Sequence, residues 1–283
     1  MAQSTITEKP KEEVIILKPT QGWGSLNLGE IWLYRELVYF LTWRDLKVRY
    51  KQTALGAGWA ILQPVLSMVV FSIFFGGLLN VPSEGVPYPV FSYAALLPWG
   101  VFAKALNDTG RSLVSNRAML TKIYFPRMVI PLASVFSSLA DFLIAFVVML
   151  GLMVYYQIPP TSNVWTLPFF MLLAVITALG VGLWLSSMNV LYRDIGYMIP
   201  YITQLWFYLT PIVYPASKVP EQWQFFYALN PMVGVVEGFR WALLDTSDAP
   251  NPLVAVSAFI AVVIFITGMF YFRRMERTFA DMV

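Results

Sequence analysis

Residues 43–64 read WRDLKVRYKQTALGAGWAILQP, a basic run followed directly by an apolar stretch. The basic side chains are Arg44, Lys47, Arg49 and Lys51. Over the whole chain of 283 residues, 58% are hydrophobic and 12% are charged, against about 25% charged in an average soluble domain. Anionic lipid headgroups attract lysine and arginine at the cytoplasmic surface of a membrane. The sequence therefore predicts an all-α protein that crosses a membrane several times.

Six apolar stretches with few or no charges predict six transmembrane helices, since a helix needs about 20 residues to cross about 30 Å of hydrocarbon. They lie at 57–79, 86–103, 128–156, 164–188, 195–216 and 253–272. With this topology, 17 of the 19 lysine and arginine residues fall on one side. Cytoplasmic loops carry this excess, so we expect both termini to be cytoplasmic and the protein to be multi-pass in the cytoplasmic (inner) membrane.

The N-terminal region divides into a polar tail and a helix. Residues 1–29 lack the apolar core of a secretory signal and are interpreted as a cytoplasmic tail, ahead of one transmembrane domain at 30–283. Residues 30–51 carry Leu33, Leu37 and Leu41 on one face. They predict an amphipathic helix on the cytoplasmic membrane surface. A solvated linker is the alternative.

The segment 217–248, on the outer face, is too apolar for a solvated loop and is interrupted at Asn230-Pro231, where a helix should stop. Two short helices that form a re-entrant or interfacial hairpin between spans five and six fit this pattern. A seventh span is the competing interpretation, and Glu237 and Arg240 argue against it.

Small residues recur every four positions in the fourth span: Ala174, Ala178, Gly182 and Ser186. This spacing permits helices to approach closely, so it predicts packing rather than a site.

Common catalytic chemistry is not expected in this chain. Cysteine and histidine are both absent, which excludes thiolate nucleophiles and imidazole ligands. No GxxxxGK[ST] stretch is present, so the chain is not expected to hydrolyse ATP by itself. We predict no catalytic residue, no metal site and no cofactor bound by this chain.

Two helical faces are candidates for a polar path through the membrane. In the third span, Ser134, Ser138 and Asp141 lie on one face. This face either lines a hydrated conduit or forms hydrogen bonds between helices. In the fifth span, Tyr197, Tyr201, Gln204 and Tyr208 lie on one face. Tyrosine combines an apolar ring with a polar tip, which suits a sliding sugar chain, although tyrosines near helix ends are also interfacial anchors.

The connection between spans two and three, 104–127, is basic and contains a short helical pattern with apolar residues that a simple loop would not need. Its candidate contact residues are Arg117, Met119, Lys122, Tyr124 and Arg127. The pattern predicts docking to a soluble partner, and charge that only sets topology is the alternative.

Four stretches together resemble the membrane subunits of type 2 ATP-binding-cassette exporters, in the group that exports O-antigen, capsule or teichoic-acid polymers. They are RELVYFLTWRDLKVRYKQTALGAGWAILQP at 35–64, SNRAMLTKIYFPRMVIPLASV at 115–135, NVLYRDIGYMIPYITQLWFYLTPIVYP at 189–215 and LNPMVGVVEGFRWALL at 229–244. The resemblance covers about residues 30–283.

The resemblance implies a homodimer that acts with two cytoplasmic ATPase subunits, which bind ATP and Mg, and a channel for an undecaprenyl-type lipid-linked polysaccharide. It places helix 30–51 beside the ATPase and the coupling helix within 111–127. It assigns the outer gate to the hairpin with Asn230, Pro231, Glu237 and Arg240.

The opening basic run then has two interpretations: Arg44, Lys47, Arg49 and Lys51 bind a lipid headgroup or the ATPase, or they only anchor the chain. Two other functions stay open. One is a drug or small-lipid exporter of the same superfamily. The other is a membrane glycosyltransferase, for which Asp45, Asp108 and Asp194 are the available cytoplasmic carboxylates. The net charge of +3 gives no reason to expect nucleic-acid binding.

Overall fold

The computed structural model describes residues 28–51, 56, 58–246, 252–276 and 279, and these residues form helices and connections without a β-strand. The predicted tail 1–29 lies almost entirely outside the described residues. The helices are α1 Leu28–Leu33, α2 Arg35–Lys51, α3 Gly58–Phe71, α4 Tyr88–Ser115, α5 Arg117–Leu120, α6 Val129–Tyr155, α7 Leu167–Leu191, α8 Asp194–Tyr208, α9 Glu221–Ala228, α10 Pro231–Leu244 and α11 Val254–Glu276.

Within the described residues, five helical segments are long and apolar enough to cross a membrane: Gly58–Leu78, Tyr88–Ser115, Val129–Tyr155, Val164–Leu191 and Val254–Glu276. The first continues α3 through a π-helical turn, Ser72–Leu78. Five of the six predicted spans coincide with these segments. The fifth predicted span, 195–216, contains α8, which has only 15 residues, followed by an irregular segment.

Helix α4 is longer than the sequence predicts. The second span was expected to end at residue 103, whereas α4 continues to Ser115. Leu106 and Leu113 extend its buried face, and no proline or glycine pair interrupts the helix after Pro98. Residues 104–115 are therefore helical, and only 116–128, with α5 inside it, connects α4 to α6. We call 116–128 the coupling loop.

Helices α4 and α7 form the centre of the molecule, with α6, α10 and α11 packed around them. The predicted small-residue face of α7 is buried, since Ala174, Ala178 and Ser186 have no exposed surface. On this face a Cβ added at Gly182 would lie 2.5 Å from the Thr109 side chain of α4. On another face of α7, a Cβ added at Gly268 of α11 would lie 2.3 Å from the Gly180 carbonyl oxygen. The prediction that this face serves close helix packing is confirmed.

Candidate functional site

Helix α2 lies against the bundle rather than apart from it. Val38 and Leu41 are buried in an apolar cluster with residues of α6 and with Phe125 of the coupling loop. The Thr42 hydroxyl donates to the Ala133 carbonyl at 3.4 Å. The opposite side of α1 and α2 exposes large aromatic side chains, Trp32, Tyr39, Phe40 and Trp43. The amphipathic pattern thus reflects one face packed on protein and one aromatic face left open.

Arg49 joins α2 to two membrane helices through an ion-pair cluster. Its guanidinium donates to Asp141 of α6 at 2.9 Å and to Asp108 of α4 at 3.0 Å. Lys104 of α4 and the Tyr50 hydroxyl also contact the Asp141 carboxylate. The two cations balance the two carboxylates, which is the condition under which partly buried charges are tolerated.

Tyr50 is a hydrogen-bond donor in this cluster. Burial, together with the hydrogen bond to Asp141, raises the pKa of Tyr50 to about 12. The hydroxyl is therefore protonated at neutral pH and donates a hydrogen bond to the Asp141 carboxylate. We call Arg49, Tyr50, Lys104, Asp108 and Asp141 the α2 ionic cluster.

The other basic residues of the opening stretch have different surroundings. Arg44 pairs with Asp45 at 2.8 Å and donates to the Asn116 side chain at 2.8 Å, so it links α2 to the start of the coupling loop. Lys47 and Lys51 are exposed. Of the four predicted headgroup or ATPase contacts, Arg44 is exposed as well, and Arg49 is partly buried.

The serines predicted for the path are buried inside the chain. Ser134 and Ser138 have at most 6% of their surface exposed. Each donates to a carbonyl of its own helix, at Ile130 and Val135 respectively. Asp141 is engaged in the α2 ionic cluster. The structure therefore does not bring these three residues together with the tyrosines of α8.

The tyrosine face of α8 is open. Tyr197, Tyr201 and Tyr208 expose 83%, 64% and 64% of their surfaces, and the Gln204 amide donates to the Tyr208 hydroxyl at 3.0 Å. On the opposite side of α8, Thr203 is buried and accepts from Asn107 of α4 at 3.1 Å. We call Tyr197, Tyr201, Gln204 and Tyr208 the tyrosine face.

The coupling loop has an exposed tip and anchored ends. Arg117 and Lys122 are exposed, as is Tyr124 at 67%. Met119 is half-buried against the α2 cluster of apolar residues. Arg127, at the end of the loop, contacts Glu276 of α11.

Two short helices form the outer segment, separated at Asn230-Pro231 as the sequence predicts. The Asn230 side chain accepts from the Met232 N–H at 3.0 Å and so caps α10. It also accepts from the Trp206 indole at 2.7 Å and donates to the Leu209 carbonyl at 3.0 Å. Asn230 therefore fastens the end of α8 to the start of α10.

Arg240 is 1% exposed and connects three parts of the chain. It donates to the carbonyls of Phe91 and Ile212 at 3.4 and 2.7 Å, pairs with Glu237 at 3.3 Å, and lies 3.6 Å from the centroid of the Phe91 ring. Arg240 of α10 thus donates hydrogen bonds to the irregular segment that follows α8.

Sequence reasoning missed Lys104, Asp108, Tyr50 and Glu276 as members of these clusters. The available signal was the i, i+4 spacing of Lys104 and Asp108 on a helix without a terminator before Ser115. Glu276 was not predictable, because its partner lies in a connection 149 residues away.

These features define a multi-pass α-helical membrane protein with several apolar helices. Residues 36–244 match the model of the ABC-2 type transporter family, and the chain belongs to that family. Membership implies a membrane setting and an ABC ATPase partner.

Three curated relatives extend the similarity over most of the chain. An O-antigen export system permease protein RfbA of Myxococcus xanthus is 30% identical over 90% of this chain and 98% of the relative. Another RfbA, from Klebsiella pneumoniae, is 29% identical over 91% of this chain and 97% of its own length. The polysialic acid transport protein KpsM of Escherichia coli is 23% identical over 82% of this chain and 91% of the relative.

Proposed function

We propose that two copies of this chain form the path by which a lipid-linked polysaccharide crosses the cytoplasmic membrane, driven by two separate ABC ATPase subunits that bind ATP and Mg. The single observation that carries this proposal is the exposed tyrosine face of α8. The names of the relatives, which concern O-antigen export and polysialic acid transport, support the choice of a glycan.

The tyrosine face has the chemistry that a moving sugar chain needs. Sugar rings have apolar faces and hydroxylated edges, and a tyrosine offers both an apolar ring and a hydroxyl. Hydroxyls that leave water need hydrogen-bond partners. Tyr201, Gln204 and Tyr208 supply several weak partners in a row, so that a polymer is solvated without being held at one position.

A second copy accounts for surface that one chain leaves uncovered. Segment 58–78 is the least buried of the five candidate spans in the described part of the chain. It lies next to α8, since the ring centroids of Phe71 and Phe207 are 5.9 Å apart. In lipid, the Gln204 amide and the Tyr208 hydroxyl have only each other, and the hydroxyls of Tyr197 and Tyr201 need water or another polar partner. A symmetric dimer with these surfaces facing each other gives them water and substrate instead.

In this proposal, α8 and its irregular extension form the fifth span in chain order, which brings the total to six. Both termini are then cytoplasmic. Fifteen helical residues cover about 22 Å, less than the roughly 30 Å of hydrocarbon. Residues 209–216 complete the crossing, with carbonyls satisfied by Asn230 and Arg240. Irregular backbone is tolerated at membrane depth where protein surrounds it. Helices α9 and α10 form the re-entrant outer gate.

On the cytoplasmic side, helices α1 and α2 lie in the membrane interface, where exposed aromatic rings such as Trp32 and Trp43 are favourable. Lys47 and Lys51 are available to a lipid-linked phosphate. The tip of the coupling loop, with Lys122 and Tyr124, docks on the ATPase.

The test is an assay of the complex with the ATPase encoded beside this chain, purified together and placed in lipid nanodiscs. Lipid-linked polysaccharide should stimulate ATP hydrolysis. Tyr201→Ala should reduce this stimulation several-fold, whereas Tyr155→Ala, an exposed tyrosine of α6, should not.

Other results would point elsewhere. Equal behaviour of Tyr201→Ala and Tyr155→Ala would remove the tyrosine face from the path. Stimulation by amphipathic drugs and not by the glycan would favour a drug exporter. Sugar transfer from a nucleotide donor by the chain alone would favour a glycosyltransferase.

A further inference from the structure

The end of α11 and the end of the coupling loop bind each other reciprocally. The Arg127 backbone N–H donates to the Glu276 carboxylate at 3.2 Å, and the Arg127 guanidinium donates to the Glu276 carbonyl oxygen. Arg127 thus contacts the backbone of α11 at Glu276, while the Glu276 side chain holds the backbone of the loop.

The surroundings of this contact make it a firm connection. The Arg127 guanidinium carbon lies 5.7 Å from the centroid of the Phe279 ring. Phe279 is 1% exposed and meets Phe272 edge to face at 5.5 Å between centroids. The second oxygen of Glu276 accepts from Arg273 at 3.0 Å. Glu276 and Phe279 therefore contact Arg127 directly, and Arg273 and Phe272 in turn contact Glu276 and Phe279.

The rest of the loop shows where this connection leads. Ile123 and Tyr124 expose more than half of their surfaces only a few residues before the anchored Arg127. Helix α11 in turn packs backbone to backbone on α7, at Gly268 and Gly180. A displacement of the loop is therefore passed to α11 and α7 directly, in addition to α4 and α6 at its two ends.

We propose that Arg127 and Glu276 are positioning residues that fix the coupling loop to α11, so that the C-terminal end of α11 belongs to the ATPase coupling unit. This inference rests on the proposed docking of the ATPase at the loop. Neither residue touches substrate or nucleotide in this scheme; both act by setting the position of the loop.

A distance measurement tests the inference without disturbing the contact. The chain has no cysteine, so spin labels can be placed at Thr121→Cys in the loop and Phe270→Cys in α11, both exposed, in complexes diluted with unlabelled chain. We expect the distance within one protomer to be unchanged between the nucleotide-free and ATP-bound complexes. A change of more than the width of the distribution would overturn the proposal.

Substitution gives the functional test. Glu276→Ala and Arg127→Ala should each assemble with the ATPase yet export about fivefold less glycan per ATP hydrolysed, within the usual range of coupling between sites. Arg127→Lys, which keeps a donor for the Glu276 carbonyl, should restore most of the ratio. Arg193→Ala, at the exposed turn before α8, is the matched control.

The outcomes separate the two proposals. An unchanged export-to-ATP ratio in Glu276→Ala and Arg127→Ala contradicts the positioning role and leaves the docking proposal intact. Unchanged ATPase binding after Lys122→Ala and Tyr124→Ala contradicts docking at the loop instead. If a variant fails to assemble, the distance measurement decides instead, because it needs neither substitution.

Discussion

Replacing Asp141 by Asn should loosen α2 from the membrane helices. The substitution keeps the shape of the side chain but removes the charge that Arg49 and Lys104 share. One amide oxygen still accepts a hydrogen bond, so the contact is weakened rather than abolished. Asp108 continues to bind Arg49 at 3.0 Å, which keeps the rest of the cluster in place.

The magnitude follows from the contacts that are lost. Asp141 receives three donors, from Arg49, Lys104 and Tyr50. Each charge-assisted bond in a partly exposed position is taken as about 1 kcal/mol, below the value of about 1.5 to 3 for well-buried cases. Lys104 lies on α4, so only the bonds from Arg49 and Tyr50 hold α2. With one of these two retained by Asn, the loss is about 1 kcal/mol, which corresponds to about a fivefold shift in the equilibrium between docked and undocked α2.

Thiol labelling measures this equilibrium, because the chain has no native cysteine. Val38 is 9% exposed and lies on the face of α2 that packs on α6. Val38→Cys therefore places a buried thiol at this contact. Its maleimide reaction should be about fivefold faster when Asp141→Asn is added. Asp45→Asn breaks only the exposed Arg44 pair within α2 and should change the rate less than about twofold. Equal rates for the two variants would refute the reasoning.

Two further predictions concern packing and capping. Gly268→Ala should lower the melting temperature by about 4 to 8 °C, because the new Cβ would lie 2.3 Å from the Gly180 carbonyl oxygen and such overpacking costs about 2 kcal/mol. Gly151→Ala is the control and should leave the melting temperature unchanged, because its Cβ would meet no atom within 4 Å. Asn230→Ala should cost about 2 kcal/mol in chemical unfolding, because it removes a helix cap and leaves the Trp206 indole unpaired. Asn163→Ala, whose side chain makes no cap bond, is the control, and equal effects of the two asparagine variants would contradict the capping role.

The apolar spans were predictable because their signal is local. Five segments overlap predicted spans among the described residues, and the break at Asn230-Pro231 separates α9 from α10 as expected. Each of these features depends on a run of residues or on one dipeptide. The end of α4 was misplaced because charge was taken as the sign of a loop, whereas Lys104 and Asp108 lie on a helix whose charges are paired.

The candidate site was predictable only where a helical face remains exposed. The i, i+4 and i+7 spacing found the tyrosine face, and Tyr201 and Tyr208 are open in the structure. The same rule grouped Ser134 and Ser138 with Asp141, but periodicity does not say which neighbour a face meets. Here α2 meets it, and Arg49 uses the Asp141 charge and also the Ser137 hydroxyl at 3.3 Å.

The basic residues between 44 and 51 have more than one role, because neighbouring positions on a helix point in different directions. Residues 44, 47, 49 and 51 span two turns of α2 and so point to different sides. Arg49 points inward, where two carboxylates repay its desolvation, and Arg44 reaches Asn116 at the start of the coupling loop. Lys47 and Lys51 are exposed at the surface. A charge that looks redundant in sequence is therefore specific in position: removing Arg49 should detach α2, whereas removing Lys47 should alter only what α2 meets outside the chain.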